Sequence, residues 1–114
     1  MVLKDLCALL NGAAVCGADR LGESVEYGFA SDLMSDVLTL KTQDFVLITG
    51  LANIQAVRTA EMSDVAYMVV CRGKRVTEEM LELAQENDML IIESPLSLFK
   101  CSGLLWEAGL REVY

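Results

Sequence analysis

Three short stretches of the chain, residues 45–49, 65–70 and 89–92, are apolar throughout and rich in branched side chains. Runs of this length without alternation fit strands buried on both faces, as in a parallel sheet covered by helices. Each is followed by apolar residues at helical spacing: Leu51, Ile54 and Val57 after Gly50; Met80, Leu81, Leu83 and Ala84 after the loop 72–76; Leu98, Cys101, Leu104 and Leu105 after Pro95. Strand and helix alternating three times predicts parallel strands with right-handed crossovers. Thr77 before Glu78 and Glu79 predicts one capped helix start, and Ser94 before Pro95 a second.

The N-terminal part reads less regularly. Residues 2–10 predict a helix, 13–16 a short strand, 17–23 a loop with two glycines, and 25–30 another strand. Ser31, followed by Asp32, is expected to cap a helix running to about Leu40. No repeat, low-complexity tract or linker interrupts the pattern. The expectation is one small three-layer α/β domain over residues 1–114, with a mainly parallel sheet flanked by helices. Strand order stays open at this point. Met34, Met62, Met68, Met80 and Met89 stand among apolar positions and are expected to fill the core.

Composition adds a partner to this picture. Of 114 residues, 54% are hydrophobic and mean hydropathy is +0.39, above the roughly 45–50% usual for globular chains even with glycine included. That surplus is more than a small domain easily hides, so a subunit interface is expected, in a homodimer. No apolar run approaches the ~20 residues that span a bilayer, because Gly50, Asn53, Arg58, Asp64, Arg72 and Lys100 interrupt. Membrane is therefore not an expected partner. Asp5 and Asn11 break the apolar N-terminal stretch, in which Leu3, Leu6, Cys7 and Leu10 recur at helical spacing. A docked helix is expected there rather than a secretion signal, with a cytoplasmic location.

Charge and residue types exclude several chemistries. Net charge is −8, which opposes phosphate-backbone binding, so no nucleic acid is expected. Cys7, Cys16, Cys71 and Cys101 form no C-x-x-C pair and read as buried reduced thiols, with no metal and no cofactor. There is no histidine, which removes Ser-His-Asp and Cys-His nucleophiles. Neither nucleotide-binding glycine fingerprint occurs. An enzyme built on Cys71 or Asp32 lacks any activating base.

Ligands of open α/β sheets sit outside the carboxyl ends of the strands. The residues there with binding chemistry are Ser31, Asp32, Thr49, Gly50, Asn53, Arg72, Gly73, Lys74 and Ser94. Thr49-Gly50 leads directly into a helix, which can offer backbone N–H groups to an anion, or can simply be a tight turn that needs glycine. Arg72, Lys74 and Arg75 place three of nine basic residues within four positions, as a phosphate clasp or as a solvated loop. Glu78, Glu82 and Glu86 stack along one helix side, a solvated face or a dock for a basic partner.

The run of residues 47–62, LITGLANIQAVRTAEM, with Arg72-Gly73-Lys74 and residues 77–84, TEEMLELA, resembles the DRTGG domain family. Leu3-Lys4-Asp5-Leu6, the Gly17 turn and Ala30-Ser31-Asp32-Leu33 extend the resemblance over nearly the whole chain. It implies an α/β fold, a tendency to dimerise and no established catalytic activity. Members of that family accompany CBS pairs in regulated pyrophosphatases, occur in phosphotransacetylases, stand alone, and are similar to the N-terminal domain of HPr kinase/phosphorylase. The chain departs from the family at Gly50-Leu51-Ala52, which lacks the charged pair of the Gly-Asp-Arg type of turn. Two readings follow. One is a non-catalytic regulatory or interaction domain, dimeric and acting on a partner enzyme. The other is a sensor of a nucleotide or other phosphate-bearing ligand.

Overall fold

Branched, fully buried side chains set the centre of the sheet. In the computed structural model, which describes residues 1–42 and 44–114, β3 (Phe45–Thr49) is buried at every position. Beside it lie β4 (Tyr67–Val70) and β5 (Leu90–Glu93), also buried along most of their length. β1 (Ala13–Cys16), β2 (Tyr27–Ala30) and β6 (Arg111–Glu112) complete a six-stranded sheet of order β1-β5-β4-β3-β2-β6. All neighbours are parallel except β1, which runs antiparallel to β5.

Alternation along the strands feeds two cores. Phe45, Leu47, Met68, Val70 and Ile91 pack with α2 (Met34–Val37), α3 (Ile54–Met62) and α4 (Glu78–Glu86). Val46, Ile48, Val69, Leu90 and Ile92 pack with α1 (Leu3–Leu9) and α5 (Leu98–Glu107) on the other face. From β2 to β5 each strand is added on the same side of the last, and right-handed crossovers then keep α2, α3 and α4 on one face. After β5 the chain returns to the far edge to form β6, so the same rule sends α5 across the opposite face. The three-layer α/β reading holds.

Several local expectations need correction. Ser31 does not cap α2; Leu33 occupies that position, and the helix is four residues long rather than reaching Leu40. The Thr39 hydroxyl donates to the Asp36 carbonyl at 2.7 Å, a local bond that competes with helix continuation. The last helix starts three residues later than expected, with Ser97 as its cap accepting from the Lys100 N–H at 3.0 Å. Ser94 is instead buried in the core. Met62 is 69% exposed and fills no core space. The strand expected over residues 65–70 begins at Tyr67, and the one over 25–30 at Tyr27. β6 was not foreseen, because two exposed residues carry no periodicity. Gly17 bears out its turn: at φ +71° an added Cβ would clash with the Met89 carbonyl oxygen, so only glycine lets β1 leave β5 there.

Thr77 caps α4 as expected, its hydroxyl accepting from the Met80 N–H at 3.2 Å. Thr77→Ala should cost about 1 kcal/mol, seen by calorimetry as a melting temperature lower by roughly 4 °C, and Thr77→Ser should recover most of it.

Candidate functional site

Parallel strands β2, β3, β4 and β5 deliver their carboxyl ends to one edge, and the sequence-predicted residues collect there. α4 leaves β4 toward one face while α5 leaves β5 toward the other, so the crevice between these two strands is the topological switch point where such folds place ligands.

The first cluster forms around Asp32. Its carboxylate accepts from the Gly50 N–H at 2.6 Å and from the Thr49 hydroxyl at 3.0 Å. Thr49 Oγ1 in turn accepts from the Leu51 N–H at 3.1 Å. The amide that an anion could have used is thus held by an internal carboxylate. Ser31 closes a local turn by accepting from the Leu33 N–H, while its own N–H extends the sheet to the Ile48 carbonyl. Asn53 caps α3, accepting from the Ala56 N–H at 3.1 Å. Gly50 is buried for a contact reason: an added Cβ would lie 2.6 Å from Arg72 Cδ and 3.4 Å from Asp32 Oδ2. The Arg72 side chain therefore lies across Gly50 beside Asp32.

The second cluster spans the switch point. Arg72 and Gly73 both have left-handed backbones, at φ +68° and +69°. Their N–H groups donate to the Leu96 and Ser94 carbonyls at 2.7 and 3.0 Å, which stitches the β4–α4 loop to the β5–α5 loop. The Ser94 hydroxyl donates to the Leu10 carbonyl at 2.7 Å and faces the core, not the crevice. A cavity of about 240 Å³ opens here, lined by Gly73, Lys74, Glu93 and Ser94 with Asn11 opposite. Glu93 accepts from the Val76 N–H at 2.7 Å and lies 3.5 Å from Arg75. Among the described residues, Arg72 and Lys74 are exposed and form no ion pair.

The edge thus unites Asp32, Thr49, Gly50 and Arg72 in one group and Gly73, Lys74 and Ser94 in the next, with Ser31 and Asn53 spent on turn and cap. Sequence reasoning missed Glu93, which ends an apolar run and gave no motif. It also missed Phe99 and Trp106 on α5, exposed at 89% and 54%. Their signal was present, since they fall out of phase with Leu98, Cys101, Leu104 and Leu105.

No family model matches the sequence, and no curated protein does. Among solved structures, the chain is similar to the CBS and DRTGG domains of the regulatory region of Clostridium perfringens pyrophosphatase, complexed with its activator, diadenosine tetraphosphate. The TM-score is 0.75 at 18% identity, over 97% of this chain and 47% of that one. The fold is of the DRTGG type. The chain spans about half the length of the chain it matches. Among the described residues, no helix of this DRTGG-type fold is long and apolar enough to cross a membrane, and no three metal-ligating side chains gather.

Cys71 lies behind the first cluster, fully buried, with its thiol donating to the Thr49 carbonyl at 3.3 Å. Burial, with Cys101 and Asp32 nearby, pushes it up to about 11. Burial also raises Cys7, Cys16 and Cys101. At neutral pH these are thiols, not nucleophilic thiolates. A raised folded-state value means the unfolded chain ionises first, near pH 8.5, so the stability held below that pH is lost as pH rises toward 11. From neutral pH to about pH 8 the melting temperature should be flat, and above that it should decline. Cys71→Ala should lower it at every pH yet give a shallower alkaline decline.

Proposed function

We propose that residues 1–114 act as one DRTGG-like regulatory domain without catalysis of its own, a cytoplasmic homodimer that works by contact with a partner enzyme. The observation that carries this reading is the state of the carboxyl edge. α/β domains gather reactive groups there, whereas this chain satisfies its own edge: Asp32 holds the Gly50 amide, and the β5–α5 carbonyls hold those of Arg72 and Gly73. The thiols nearby, Cys71 and Cys101, are buried and protonated. With no histidine to activate a nucleophile, and with the Asp32 and Glu93 carboxylates engaged by the Gly50 and Val76 N–H groups, this edge offers no activated nucleophile. The similarity to a regulatory region supports the same role, as does an apolar fraction of 54% in a chain this short.

A second reading, a sensor of a phosphate-bearing ligand such as a nucleotide, rests on its own observation. Arg72 and Lys74 extend exposed cations at the switch point, Lys74 lining the cavity, and the similar regulatory region was solved with a nucleotide activator. In this reading Arg72, Gly73 and Lys74 meet the phosphate, and Ser31, Asp32, Thr49, Gly50, Asn53 and Ser94 frame them.

Light scattering should give twice the 12.5 kDa chain mass; the monomer mass across micromolar concentrations contradicts the dimer. Melting in diadenosine tetraphosphate separates the readings. An interaction domain keeps its melting temperature, whereas a sensor that binds this nucleotide gains stability by mass action. In the sensor case Arg72→Ala should weaken binding roughly ten- to hundredfold, the value of one charge-assisted phosphate contact.

A further inference from the structure

Helix α5 has two faces of opposite character. Cys101 and Leu105 are buried against the sheet, with Leu98 and Leu104 packed beside them. Phe99, Gly103 and Trp106 fall together on the other side, at i, i+4 and i+7, and all three are exposed.

Gly103 is unexplained by the chain itself. A Cβ there would meet no heavy atom within 4 Å and its φ is not positive, although glycine weakens a helix interior. What glycine offers at an outer face is close approach of another backbone. Along one flank of the stripe, Lys100 and Glu107 are exposed about two turns apart, too far along the axis to pair with each other.

We propose that a second copy of this chain packs its own α5 antiparallel against this face, with the two-fold axis at Gly103. The proposal rests on the homodimeric reading above. The sequence is self-complementary about that point: Phe99 comes level with Trp106 of the second copy, and Lys100 with Glu107 of the second copy, each to within one residue's rise of ~1.5 Å. A two-fold axis lying in the interface keeps each charged flank on the same side, so both ion pairs form at once. An apolar hollow of about 130 Å³, bounded by Ile48, Ser102, Leu105 and Trp106, lies beside the stripe to receive the incoming Phe99 ring. Charge favours the same occupant. With −8 on each chain, two copies repel over most of their surface, but this face is not acidic: Lys100 and Glu107 balance, and the Arg111 guanidinium lies 4.5 Å over the Trp106 ring.

Charge reversal tests the geometry. Lys100→Glu and Glu107→Lys should each weaken the dimer, at least tenfold in dissociation constant by analytical ultracentrifugation, a size seen for close interfacial charge pairs. The double variant should return to near the parental value, which only an antiparallel pairing of these two positions does. Gly103→Cys, in space free of neighbours, should cross-link chain to chain with a short bismaleimide while the parental protein does not. Trp106→Glu should give a folded monomer by circular dichroism and mass. A parental protein that is monomeric overturns the homodimeric reading and this proposal with it. A parental dimer that survives Trp106→Glu, fails to cross-link through Gly103→Cys or shows no rescue in the double variant overturns the α5 interface and leaves the dimer standing.

Discussion

The Ser94 hydroxyl, 2% exposed, donates to the Leu10 carbonyl at 2.7 Å and accepts from the Leu96 N–H. This buried joint pins the end of β5 to the end of α1 where the chain changes face. β5 already has β1 on its outer side, so the next strand cannot pair with β5 and is added at the far edge, beside β2. A right-handed return then has only the α1 face to cross. The switch crevice between β4 and β5 follows from that reversal, and so does the outward face of α5. Removing the Ser94 hydroxyl would leave the buried Leu10 carbonyl without a donor, a costly state in a core.

The same economy governs the carboxyl edge. Backbone N–H groups at strand ends need acceptors, and a bound anion is one solution. Here Asp32 is another: a carboxylate from the β2–α2 loop occupies the Gly50 amide, and the Arg72 side chain lies alongside. With its backbone groups satisfied from within, this edge presents the exposed Arg72 and Lys74 side chains, while Phe99 and Trp106 face water on α5. This division suits the interaction role proposed above.

The central strands were legible because burial on both faces leaves a continuous apolar run, and β3 has no exposed position. Cap chemistry located α4 through Thr77, but misplaced the start of α5, since Ser94 and Ser97 both satisfy the local rule and only the Leu10 carbonyl distinguishes them. Strand order was not legible, because it depends on β1 closing one edge, and β1 is four residues of ordinary pattern. The site residues were found as neighbours, since parallel strands must share an edge. Their roles were not, because Asp32 reaches Gly50 across 18 positions of sequence that no spacing rule connects. Phe99 and Trp106 stood out of phase with the buried stripe of α5, but how far each is exposed is set by the finished packing.

The chain has one tryptophan, and it is Trp106. Its emission therefore reports on the proposed contact without labels. Following fluorescence and iodide quenching across the concentration range in which the mass doubles tests the account most directly. A shift to shorter wavelength with loss of quenching, in step with dimerisation, is the result the account predicts. An indole that stays solvent-exposed while the mass doubles would contradict it.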